Sequence, residues 1–155
     1  MRSTAAVGGL AFAVLALTAL VSCRPGKDVA PSEPAGSVPR CEVAVRAPAG
    51  FRALRVFLEE YPDHVGVRVG FRDRRGRELH AFAGIPGEFG EGLAAAGKVR
   101  LAPGRTGLLS GSERVWVVEW NEGGRCDPRA ALGTGFGREG FLEVLREAGI
   151  AAGSR

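Results

Sequence analysis

Histidine, methionine and tyrosine are nearly absent from this chain of 155 residues, which has two, one and one. Cysteine occurs three times, at Cys23, Cys41 and Cys126, and never as a Cys-x-x-Cys pair. Neither His64 nor His80 falls at ligand spacing with a cysteine, so the usual zinc motifs are excluded. No metal site and no cofactor is expected. Lysine is also scarce: of 21 basic residues only Lys27 and Lys98 are not arginine. With 24 glycines, that bias is the pattern of a GC-rich coding sequence. The only arginine cluster is Arg72, Arg74, Arg75 and Arg77, which reads as a hairpin tip, and acids are interspersed throughout, so no nucleic-acid partner is expected. Also missing is a run of roughly 20 apolar residues, the length a transmembrane helix needs.

The longest apolar run spans Ala5 to Val21, follows a single charge at Arg2, and is weakened by Gly8 and Gly9. Its length and position suit the core of a secretion signal. It ends Leu20-Val21-Ser22-Cys23, which resembles the lipobox of bacterial lipoproteins. That resemblance implies that Cys23 takes a diacylglyceryl group, is cut free of residues 1–22, and anchors the protein to a membrane by fatty acyl chains such as palmitate. The expected location is extracytoplasmic. An anchor of two or three chains gives stable attachment where one would not.

The cysteine count fits this reading. An odd number in an exported protein calls for an explanation, and lipidation of Cys23 leaves an even pair. Cys41 and Cys126 are then expected to form a disulfide in an oxidising compartment. Closing a loop of that length stabilises by roughly 4 kcal/mol in chain-entropy models. Residues 23–39 read as the lipidated terminus and a tether, since Arg24 to Pro39 holds four prolines, two glycines and two serines. Such a segment spans roughly 20 Å as a coil and roughly 50 Å as polyproline II.

Residues 40–155 form the one expected globular domain. Cys41, Val43 and Val45 alternate with polar or small residues, as do Val65, Val67, Val69 and Phe71. This period of two predicts half-buried strands. Val115 to Trp120 is apolar on both faces except at Glu119, which predicts a central strand. Further strands are expected near 52–60, 78–84, 98–103, 105–110 and 128–134. Helical spacing is clear only near the end, where Phe141, Leu142, Leu145 and Ala148 share one side and Glu139, Glu143, Arg146 and Glu147 the other. The expected class is α+β: a curved antiparallel sheet of six to seven strands with one C-terminal helix.

The turn Asp73-Arg74-Arg75-Gly76 suits a three-residue hairpin loop. In that register Arg72 meets Glu78, Phe71 meets Leu79, Val69 meets Ala81, and His80 lies on the other face. The arginines Arg72, Arg74, Arg75 and Arg77 then protect a hairpin tip, or contact anionic headgroups or wall polymers. From Pro48 to Ile150 the pattern resembles small extracytoplasmic domains of bacterial lipoproteins and anti-sigma factors. The residues that carry the likeness are Ala49-Gly50-Phe51, Val65–Phe71, Gly107-Leu108-Leu109, Trp116–Trp120 and the final helix. The likeness implies a meandering sheet closed by a C-terminal helix, and no activity. The Cys41/Cys126 pair departs from it.

Catalytic groupings are sparse. Gly135-Phe136-Gly137-Arg138-Glu139-Gly140 matches a dinucleotide fingerprint in letters, but no second strand follows to complete the unit. A hydrolase would have to draw on Ser110 or Ser112, His64 or His80, and Asp63 or Asp73. Glu59 and Glu60 point to opposite faces of a strand and cannot act together. The glycine-rich stretch Ala83–Gly92 reads as a connection between strands, or as a recognition loop that includes Ile85, with Phe89 as its apolar anchor and Glu88 and Glu91 as its rim. The expected role is a non-enzymatic, membrane-anchored module with an envelope protein as partner, or one that maintains the envelope. A carrier of lipid or another apolar ligand, held in a cavity beside Trp116 and Phe141, is the alternative, and a hydrolase the second alternative. Labelling cells with an alkyne-bearing palmitate should tag this protein, and Cys23→Ser should abolish the tag and release the protein from membranes; a variant that keeps both would contradict the lipobox reading.

Overall fold

The computed structural model describes residues 38–152; residues 1–37, including Cys23 and most of the tether, and 153–155 lie outside the described residues. Eight strands precede one helix: β1 (Phe51–Ala53), β2 (Phe57–Glu60), β3 (Val65–Asp73), β4 (Glu78–Ala83), β5 (Ala94–Leu101), β6 (Arg105–Gly111), β7 (Val115–Trp120), β8 (Arg129–Thr134) and α1 (Arg138–Glu147). All pair antiparallel in one open sheet of order β1-β3-β4-β8-β7-β6-β5, with β2 beside β1 on the same edge of β3. The expected class is therefore present, an α+β fold with one C-terminal helix.

The β3–β4 hairpin has the expected register, with Arg72 opposite Glu78, Phe71 opposite Leu79 and Val69 opposite Ala81. Asp73 holds the turn: its Oδ1 accepts from the N–H groups of Arg75 and Arg77, each at 2.9 Å, and Oδ2 takes the Arg77 Nε at 2.7 Å. After Ala83 the chain does not pair with the next strand in sequence. It crosses to the far edge, builds β5, and meanders back through β6 and β7 to place β8 beside β4. Residues 84–93 must therefore span four inter-strand spacings, roughly 19 Å. This is why that connection is long, and why it lies against the sheet.

Three expectations are corrected. Residues 41–45 are extended but form no sheet strand. Cys41 N–H bonds the Val65 carbonyl at 2.9 Å, Arg46 N–H bonds the Ala148 carbonyl at 3.1 Å, and Val43 and Val45 pack on the core between those points. One-sided burial alone produced their alternation. The single strand expected at 52–60 is split, because Leu54, Arg55 and Val56 stand opposite only Val69 and Gly70, an extra residue that bulges the edge. In addition, β5 starts four residues before its expected position, where Ala94-Ala95-Ala96-Gly97 carries no strand signature and the register shifts.

The core lies between the sheet and α1. Phe71, Leu79, Leu109, Val118 and Ala131 of the sheet meet Phe141, Val144, Leu145 and Ala148 of the helix side. Val144 joins this face and Leu142 is only half-buried. Each fully buried aliphatic or Phe contributes about 1.5–3 kcal/mol. Closest approach is at Gly133, where a Cβ would stand 2.4 Å from the Phe141 ring. A disulfide joins Cys41 to Cys126 with 5.6 Å between Cα atoms, tying the incoming segment to the turn before β8. Gly133→Val should lower the unfolding free energy by about 1–3 kcal/mol in urea melts. Gly124→Ala, with open space around it, should change it by less than about 0.5 kcal/mol; equal effects would contradict the packing described.

Candidate functional site

The crossing loop holds its apolar residues against the sheet. Ile85 is buried, and Phe89 is half-buried with its ring 4.6 Å from that of Phe82 on β4. A Cβ on Gly90 would stand 2.8 Å from a Glu119 carboxylate oxygen, so the loop lies flat on the face opposite the helix. Of the four residues singled out in this loop, Glu88 and Glu91 are the exposed ones.

Of the candidate catalytic side chains, Asp63 and His64 meet, whereas His80 stands apart from Ser110. His80 and Ser110 share a cross-strand row through Leu132 and Val117. Three inter-strand spacings separate them, roughly 14 Å, beyond any hydrogen bond. His80 Nε2 instead meets Glu78 at 2.9 Å, and Arg72 holds the other oxygen of that carboxylate. The His80 bond, then Arg72, keep the Glu78 carboxyl below its usual range. Glu59 and Glu60 take adjacent positions on β2, opposite Gly66 and Val65, and so stand on opposite faces. The glycines at 135–140 join β8 to α1, and among the described residues no strand follows the helix. The space expected for an apolar ligand beside Phe141 is filled: that ring is fully buried, 6.4 Å from Phe136, and Trp116 lies over Gly111. A cavity of 260 Å³ lies beside Trp120, Leu101 and Ile150.

His64 is buried, yet it faces oxygen at both nitrogens: Nδ1 lies 2.8 Å from Asp63 Oδ1 and Nε2 lies 2.7 Å from the Gly84 carbonyl. Both partners only accept, so the doubly protonated imidazolium alone satisfies both. The Gly84 carbonyl, and then Asp63, raise its pKa above the usual 6.5. Gly84 is wedged between this ring and the disulfide. Its φ is +66°, and a Cβ would stand 2.6 Å from Cys41 Sγ and 2.8 Å from the His64 ring. No other residue fits there. The crossing loop thus leaves the sheet from a point fixed by His64 and Cys41–Cys126.

A concave surface with charge of one sign lies at the opposite edge. Gly149, at φ +79°, ends α1 and reverses the chain. Residues 150–152 then return along the outer edge of β5, with Ala102 N–H on the Ile150 carbonyl and Ala152 N–H on the Arg100 carbonyl, each at 3.0 Å. A groove of 930 Å³ results between α1 and β5. Arg138, Leu142 and Arg146 form one wall, spaced four residues apart on one helix stripe, and β5 from Lys98 to Arg100 borders the other side, with the Lys98 and Arg100 side chains leaving from the sheet face opposite the helix. The floor includes Val99 and Ala151. All four basic residues are exposed, and among the described residues no acidic one lines the groove. Arg138 pairs with Glu139 at 3.0 Å; among the described residues no carboxylate pairs with Lys98, Arg100 or Arg146. Such an arrangement attracts anions and offers bidentate contacts at its arginines. Sequence reasoning had placed Arg146 on a solvated face and passed over the others. The signal was present as Arg-x-x-x-Leu-x-x-x-Arg and Lys-x-Arg, but only the tail's return brings the two together.

The His64 arrangement sets a pH dependence. A raised pKa in the folded state means that its stabilisation is fully present below 6.5 and is lost as pH rises through the raised value. Asp63, whose carboxyl is lowered by its bond to His64, loses its share only in acid, below this window. Urea melts of the native chain and His64→Gln between pH 5.5 and 9 should show the native advantage shrinking as pH rises. A constant or growing advantage would contradict the imidazolium.

Comparison with known proteins leaves the geometry to carry the functional reading alone, since no family model, no curated protein and no solved structure matches this chain.

Proposed function

We propose that this protein is a lipoprotein held to the outer face of a cell membrane through Cys23, and that its domain is a non-catalytic interaction module whose β5–α1 groove receives an acidic segment of an envelope protein. The observation that carries the reading is the groove itself, with Arg138 and Arg146 beside an apolar floor, Lys98 and Arg100 on the strand that borders it, and no acid among its lining residues. Arg138 and Arg146 stand roughly 12 Å apart along the helix, a length matched by about four residues of extended chain. Exposed ion pairs contribute only about 0–1 kcal/mol each, so charge alone binds weakly. Leu142, Val99 and Ala151 supply apolar surface between the cations. A peptide alternating carboxylates with apolar side chains would use both, whereas a sugar–phosphate polymer would leave the apolar floor uncovered. The groove lies on the edge of the sheet opposite β1, β2 and β3. The tether would let the domain reach roughly 20–50 Å from the membrane.

Fluorescence anisotropy of a labelled peptide of alternating Glu and Leu tests this with the full mature chain. The expected result is saturable binding that weakens with salt and falls by roughly tenfold or more in Arg138→Glu/Arg146→Glu. Arg74→Glu/Arg75→Glu, at the hairpin tip, should bind as the native chain does. Unchanged binding in the groove variant, or equal loss in the tip variant, would overturn the assignment. Stronger binding of inorganic polyphosphate than of the peptide would overturn the peptide reading.

A further inference from the structure

The other edge of the sheet carries a different surface. Val56, Phe57 and Leu58 are consecutive, and 45%, 43% and 50% exposed. They occupy β2 and the bulge before it, the outermost position beside β3. A long apolar edge strand invites pairing with another strand, and proteins usually blunt it with charge. Here three large apolar side chains lie in a row at the edge, with Arg55 before them and Glu59 after them.

The backbone is turned to accept a partner. Leu54 N–H bonds the Gly70 carbonyl, so the even-numbered residues of β3 direct their peptide groups toward this edge. Their partners Phe57 and Glu59, opposite Arg68 and Gly66, therefore turn inward. By alternation Val56, Leu58 and Glu60 present their N–H and C=O groups outward.

The sequence at this edge is self-complementary. If two copies pair antiparallel with Phe57 opposite Phe57, then Val56 stands opposite Leu58 of the second copy and Arg55 opposite Glu59 of the second copy. Val56 and Leu58 are then the pair that exchanges hydrogen bonds, matching the groups turned outward. Shifting the axis by one residue would set Phe57 against Glu59 and Val56 against Glu60, apolar against carboxylate. Val56 and Leu58 lie on the helix side of the sheet, Leu58 opposite Val67. There Val56 borders a shallow depression of 450 Å³ floored by Val43, Val67 and Val69. Leu58 of the second copy would extend that apolar wall. On the other face the Arg68 guanidinium lies 4.0 Å from the Phe57 ring centre, with its Nε unpartnered. Directly opposed aromatic and charge pairs are the contacts that stabilise a two-strand junction.

We infer that β2 is a dimerisation edge, at which a second copy of this chain pairs antiparallel about Phe57 to continue the sheet across a two-fold axis. A contact of about five residues is small against the roughly 1,200 Å² of a stable interface. Its strength therefore rests on the membrane anchor proposed above, which confines both copies to one surface and raises their effective concentration.

The test places the photo-reactive residue benzoylphenylalanine at position 57 of the full chain in cells. Irradiation should give a product of twice the mass, with the cross-link mapping to residues 55–59 of the second copy. Arg55→Glu alone and Glu59→Arg alone should each reduce that product, by roughly three- to tenfold because each change meets its opposite twice. Arg55→Glu/Glu59→Arg together should restore it. An intact Cys41–Cys126 disulfide on a non-reducing gel confirms that each variant is folded. Absence of the dimer product in folded, membrane-bound protein would overturn the inference, as would a cross-link to a different protein or a double variant no better than the singles. Failure of the anchor is read separately, by the mass of the Cys23 peptide. If that mass shows no lipid while the dimer product persists, the edge assignment stands and the anchor fails.

Discussion

The Phe141 ring occupies the space that any side chain at position 133 would need, and the position of α1 follows from that contact. With the helix seated there, Val144, Leu145 and Ala148 close on Leu79, Leu109 and Val118, and the stripe Arg138-Leu142-Arg146 is left facing the β5 edge. Gly149 then has one direction in which to send the chain. The tail bonds β5 at Arg100 and Ala102, and two basic segments 40 residues apart in sequence become the walls of one groove. Each step is an ordinary packing or hydrogen-bonding event. Together they bring two basic segments to a groove with no acid among its lining residues.

The two edges of the sheet are chemically different. At β5 the edge is basic, partly covered by the returning tail, and concave. At β2 it is apolar, uncovered among the described residues and flanked by one charge of each sign. The connection between β4 and β5 separates them, because it carries the chain from the middle of the sheet to the far edge before the meander returns. Its anchoring point, where Gly84 is held between His64 and the disulfide, fixes where that crossing begins. The disulfide therefore does more than shorten the unfolded chain. It also ties the incoming segment, Cys41, to the β7–β8 connection, whose Cys126 carbonyl takes the Gly84 N–H where the crossing begins.

Local chemistry was readable from the sequence. Asp73 and Gly76 specify the hairpin because an Asx side chain and a terminal glycine suit one loop length, and the charge pairing of Arg72 with Glu78 fixes the register. The pairing of Cys41 with Cys126 followed from the count once Cys23 was set aside. Gly149 marked the end of the helix. What failed was non-local. Residues 41–45 alternate because they lie on a packed surface, and a period of two does not distinguish that from a sheet lane. Ala94 to Gly97 carries too little side chain to announce a strand. The glycine-rich loop gave no sign that its length is set by a strand inserted later in the sequence, and the groove depends on two segments whose meeting is decided by the tail. Phe89 illustrates the same limit, since its partner Phe82 is close in sequence but the loop's path is not.

The central claim is that the β5–α1 groove is where this domain meets its partner. Titrating the ¹⁵N-labelled mature chain with the Glu–Leu peptide and following backbone amide shifts tests it most directly. The account predicts that the largest changes fall on Lys98 to Arg100, on α1 from Arg138 to Arg146, and on Ala151 and Ala152. Changes concentrated instead at the hairpin tip, Arg72 to Arg77, or along the crossing loop at Glu88 to Glu91 would contradict it.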